Sequence, residues 1–72
     1  MERNWFEVLE SLQSYMIDSD EMSNIATYMN DDIREHVHFE LAPCSNEEFL
    51  VRYLQHDPDF EATLKTEFDI EL

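Results

Sequence analysis

Four side chains in this 72-residue chain have the soft donor atoms that hold transition metals or perform nucleophilic chemistry: His36, His38, Cys44 and His56. Zinc sites usually pair their ligands closely, as in C-x2-C with H-x3-H. Here the close pair is H-x-H, and on a helix its two rings point about 200° apart. Neither a metal nor a cofactor is expected from this pattern. Asp57, Asp59 and Glu61 form a D-x-D-x-E run like the start of a calcium loop. Such a loop needs glycine at its sixth position and glutamate at its twelfth, whereas this chain has Ala62 and Phe68 there, with Pro58 inside the run. Asp18 and Asp20 fail in the same way, with Ser23 and Met29 at the two positions. Cys44 precedes a helix start, where a thiol can become a thiolate, but the charge around it is negative and no base is placed by spacing. The reading is therefore not an enzyme.

What stands out is the acid. Eighteen Asp and Glu oppose four Lys and Arg, a formal net charge of −14. Solubility asks for a net charge of only about 2 to 8 in a small domain, and further like charge destabilises the compact state. Nucleic acid and anionic membranes would repel such a surface, while a basic protein surface would attract it. Arg3, Arg34, Arg52 and Lys65 are isolated, each flanked by acids, and read as internal counter-ions, for example Arg34 with Asp31 or Lys65 with Glu61. Direct binding of nucleic acid, which needs a basic stripe, is not expected.

The elements that would display these charges are helices. Hydrophobic residues make up 43% of the chain and aromatics 12%, too many for a disordered acidic tail, and there is no glycine to make hairpin turns or a phosphate loop. Asn4 with Glu7 reads as a cap, followed by Trp5, Leu9, Leu12 and Met16 at helical spacing. Asp18 or Ser19 starts a second helix with the stripe Met22, Ile25, Ala26 and Met29. Asn30 or Asp31 starts a third, with Ile33, Val37 and Leu41 on one face and Pro43 as its stop. Ser45 with Glu48 is a capping box ahead of Phe49, Leu50, Tyr53 and Leu54. Asp57–Pro58 reads as an N-cap with proline at the first helical position, leading to Phe60, Leu64 and Phe68. The predicted fold is all-α, a single acidic helical domain over residues 1–72 built from about five short helices. An α+β alternative pairs HVHFEL (36–41) with EFDIEL (67–72) in a small two-stranded sheet, because both stretches alternate polar and apolar residues. Trp5, Leu9, Leu12, Phe49, Leu54, Phe60 and Leu64 are the expected core.

A single cysteine, acids in place of a signal-peptide core, and no apolar run of about 20 residues predict a soluble cytoplasmic protein, in the host cytosol if a phage encodes it. On the helices the acids recur three or four apart: Glu7 and Glu10, Asp18 and Glu21, Asp31 or Asp32 and Glu35, Asp57 and Glu61. Such neighbours stand about 5–6 Å apart, so several short helices can display rows of fixed negative charge of the kind nucleic acid presents to Lys/Arg clefts. The expected recognition surface is Asp18, Asp20, Glu21, Asp31, Asp32, Glu35, Asp57, Asp59 and Glu61, which lie at the helix starts, and the expected partner is the basic surface of a nucleic-acid-binding protein.

In size, acidity and lack of catalytic motifs the whole chain resembles the small acidic DNA-mimic inhibitors of phages and mobile elements, the anti-CRISPR and antirestriction proteins. The segment LAPCSNEEFLVRYLQHDPDF also resembles helical-hairpin sequence found in small bacterial and phage proteins. The resemblance of the whole chain, not that of the segment, implies an inhibitor that occupies the nucleic-acid groove of a nuclease or targeting complex. The alternative expectation is a small helical adaptor or regulator that binds through an apolar face, as a monomer or homodimer, with four methionines suited to an adaptable contact.

Overall fold

A computed structural model describes residues 3–41 and 45–72. Five helices follow one another, α1 (Trp5–Ser14), α2 (Ser19–Ala26), α3 (Asp31–Leu41), α4 (Asn46–His56) and α5 (Phe60–Phe68), and there is no strand among the described residues. The fold is all-α. The Leu41 side chain, the Pro43 stop and Cys44 lie outside what is described.

Side chains start four of the helices. Asn4 accepts from the amides of Phe6 and Glu7, Asp18 from Glu21, and Ser45 from Glu48. Asn30 Oδ1 accepts from the amides of Asp32 and Ile33 at 2.9 and 3.1 Å. Each satisfies donors that the first helical turn would leave unpaired. The fifth start differs from expectation. Asp57 ends α4, and three i→i+3 bonds (Phe60 to Asp57, Glu61 to Pro58, Ala62 to Asp59) wind a tight turn into α5. Pro58 sits in that turn, two residues ahead of the helix, and Asp59 at the cap makes no side-chain capping bond. The Asp57 carboxylate is used elsewhere, by Tyr53.

The centre of the molecule is α4. Leu50, Val51, Tyr53 and Leu54 are all buried, an arc too wide for a helix that faces one neighbour. It packs against both α3 and α1. Val8 and Leu12 from α1, Ile25 from α2, Val37 from α3, and Phe60 and Leu64 from α5 complete the core with Ile17, Met29 and Ile70 from the connections and tail. Of the expected core, Leu12, Leu54, Phe60 and Leu64 are buried, while Trp5, Leu9 and Phe49 pack partly exposed against its margin.

Two further readings need correction. Met16 does not continue the α1 stripe: the helix ends at Ser14, Met16 turns left-handed at φ 52°, and its side chain is 81% exposed. The turn delivers Ile17 to the core in its place. The two-stranded alternative also fails. HVHFEL lies within α3, where a two-residue step is about 200° of rotation, so Val37 is buried and Phe39 is 81% exposed. In EFDIEL, α5 continues to Phe68, Asp69 turns left-handed at φ 56°, and the amide of Ile70 closes back onto the Leu64 carbonyl at 3.1 Å. Ile70 is then buried as a plug. The Tyr15 hydroxyl clasps Glu71 from both sides, donating to its carbonyl at 3.2 Å and accepting from its amide at 3.0 Å. That clasp fixes the tail against α1.

Candidate interaction surface

Every helix opens with acid: Glu7 in α1, Asp20 and Glu21 in α2, Asp31 and Asp32 in α3, Glu47 and Glu48 in α4, and Glu61 in α5. The local cause is the helix macrodipole, which favours negative charge at an N-terminus. The consequence is that the carboxylates stand on rigid backbone.

Few of these charges are compensated. Arg34 reaches Asp31 at 3.6 Å, as the spacing predicts. Lys65 departs from expectation. It lies 3.9 Å from Glu71, while Glu61 pairs with Arg3, because the plugged tail brings Glu71 back beside α5. The fourth cation, Arg52, hydrogen-bonds Gln55 at 2.9 Å.

The nine predicted recognition residues separate in their surroundings. Asp20, Asp32, Glu35 and Asp59 are exposed. Asp31 is exposed beside Arg34, and Asp18 is exposed while capping α2. Glu21 is half-buried, as is Glu61, which Arg3 engages. Asp57 is also half-buried and accepts the Tyr53 hydroxyl at 3.0 Å, which makes it part of the scaffold. The densest exposed group on one element is Asp31, Asp32 and Glu35, with Glu35 one turn along α3 from both aspartates.

Tyr53 holds that group in place. Its ring is fully buried, stacked edge-on against Phe60 with centroids 4.8 Å apart. Its oxygen accepts the Asn30 amide at 2.7 Å and donates to Asp57, and Asn30 is the residue that caps α3. Burial raises the Tyr53 pKa above its ordinary 10.0, the Asn30 amide opposes that shift, and Asp57 adds to it. Sequence reading gave Tyr53 only a place in an apolar stripe. Its polar role depends on the Thr27–Asn30 connection passing over it, which no local spacing reveals.

A second grouping also escaped the sequence. His36 and His56 each bring Nε2 to 3.0 Å from Glu40 Oε1, and their rings meet edge-on with centroids 5.0 Å apart. The H-x-H spacing directs attention to His38, which lies beside Phe39. The pairing that forms is i,i+4 on α3 plus one residue from the far end of α4.

Comparison with curated proteins and with solved structures finds no match. A family model described as anti-CRISPR protein AcrIC5 matches residues 16–63. The matched span takes in the whole of α2, α3 and α4 and the first turn of α5, and all nine predicted recognition residues fall within it. An acidic helical body resembling phage-borne inhibitors and a family match over two thirds of its length agree: the chain belongs to the anti-CRISPR protein AcrIC5 family, and is an inhibitor directed at CRISPR-Cas machinery.

Proposed function

We propose that this inhibitor binds a basic nucleic-acid groove of a CRISPR-Cas complex and occupies it in place of phosphates. The observation that carries this reading is charge density. The body measures 28 × 24 × 21 Å. Duplex DNA has one phosphate charge per roughly 1.7 Å of axis, so a length equal to the longest dimension carries about 16 charges. The chain carries −14. A groove lined by Lys and Arg would meet a similar amount of negative charge over a similar length, on a body that neither unwinds nor pairs with a guide. Residues 1–72 act as one domain in this reading, without catalysis, in the cytosol where the targeted complex works.

The recognition surface is centred on Asp31, Asp32 and Glu35, with Asp18, Asp20, Glu21, Asp59 and Glu61 around it and Asp57 as a partly engaged member. The test is the triple substitution Asp31→Asn, Asp32→Asn, Glu35→Gln. Exposed ion pairs are each worth about 0.2–1 kcal/mol, so three lost together should weaken binding to the complex about tenfold at low salt and flatten its salt dependence. Unchanged affinity and salt slope would remove this patch from the surface.

One observation favours a second reading, an adaptor-like contact through apolar anchors. Phe6, Met16 and Phe39 are each about four-fifths exposed, and large apolar side chains are common anchors at protein interfaces. Binding that survives high salt and fails in Phe39→Ala, or sedimentation as a homodimer, would favour it over the charge-based mode.

A further inference from the structure

We propose that His36, Glu40 and His56 form a binding site for a divalent transition ion of the zinc class that clips α3 to α4. The three offer one ligand atom each, all within 4.8 Å of one another. Two of the three separations, from each His Nε2 to Glu40 Oε1, are 3.0 Å. Around an ion held at about 2.0–2.1 Å in tetrahedral geometry, neighbouring ligand atoms lie about 3.3–3.4 Å apart. Those two edges are thus within about 0.4 Å of their metal-bound length. The third, no longer than 4.8 Å, closes by rotation of the His36 side chain, which at 62% is the most exposed of the three.

The positions suit the role. His36 and Glu40 are one turn apart on α3, so they share a face, and His56 is the last residue of α4, the helix against which α3 packs. Both rings converge on one carboxylate oxygen. A cation at their focus would replace the hydrogen bonds with two imidazole ligands and a carboxylate. Two imidazoles and a carboxylate suit Zn, Ni, Co or Cu, whereas Mg and Ca take oxygen donors. Three protein ligands leave a fourth position for water or a partner's side chain. This site is independent of the phosphate-mimic reading, and its test does not involve the CRISPR-Cas complex.

The experiment is a Zn2+ titration of the chelator-treated 72-residue chain, followed by calorimetry, thermal melting and imidazole NMR, with Mg2+ at the same concentration as the control. The expected result is saturable 1:1 binding, with a melting temperature raised by about 6–11 °C at a tenfold excess over Kd. The His36 and His56 resonances should shift while those of His38 stay in place, and the effect should vanish in the double variant His36→Gln, His56→Gln. Equal shifts at His38, binding retained by the double variant, an equal response to Mg2+, or no change in melting would each overturn the site. Those outcomes would describe general attraction of cations to a −14 surface.

Discussion

Replacing Tyr53 with Phe removes one oxygen from a fully buried ring and tests whether the acidic start of α3 is fixed from beneath. Two bonds are lost. The Asn30 amide, 2.7 Å from the Tyr53 oxygen, would have no partner in a part-buried position, and leaving a buried donor unsatisfied costs about 1–3 kcal/mol. The lower half of that range applies, since Asn30 is at the surface and water can reach it. The bond to Asp57 has a charged acceptor, but that carboxylate is only half-buried and regains water, so it adds less than a kcal/mol. The sum is about 2 kcal/mol, and the packing against Phe60 is unchanged. For a domain of this size that lowers the melting temperature by about 8–16 °C. The assay is a urea or thermal melt of both proteins. The alkaline limb adds a check on the cause. Because the folded pKa of Tyr53 is raised, its contribution is fully present below the unfolded value of 10.0 and is lost as pH rises through the folded value. The wild type should lose stability above pH 10 more steeply than Tyr53→Phe. A loss below about 0.5 kcal/mol, or identical alkaline limbs, would refute the account of Tyr53 as the post under α3.

Two further outcomes follow from the backbone and from the charge. Asp69 is left-handed at φ 56° in a chain without glycine, a conformation that costs a residue with a Cβ about 1 kcal/mol or more. Asp69→Gly should raise the melting temperature by about 4–8 °C, and a neutral or negative change would show that the tail relies on that carboxylate. Net charge of −14 on a body of 11.2 Å radius of gyration implies self-repulsion. Raising NaCl from low salt to 0.5 M should therefore stabilise the free protein in a thermal melt while weakening its complex, and destabilisation by salt would show that ion pairs outweigh repulsion.

The helices were legible in the sequence because their causes are local. Asn4 and Ser45 cap the helices they were expected to cap, and of the pairs Asp18 or Ser19 and Asn30 or Asp31 the first residue does so, since a cap is a bond between a side chain and an amide two or three residues away. The apolar stripes at 3.6-residue spacing found the buried faces of α2, α4 and α5 for the same reason, and charge and size alone pointed to the class of inhibitor. Three features needed the tertiary structure. The Asp57–Pro58 start shifted because Tyr53, held in the core, takes the carboxylate that would have capped the helix. EFDIEL alternates like a strand, yet Ile70 is buried as a plug after a left-handed turn, because the Leu64 carbonyl and the Tyr15 hydroxyl are brought to it by other parts of the fold. His56 meets His36 and Glu40 only because α3 and α4 pack side by side. Local chemistry fixes where four of the five helices begin and which faces they bury. Which charges stay free, which acid becomes scaffold, and which histidines converge is decided by the packing of helices that are distant in sequence.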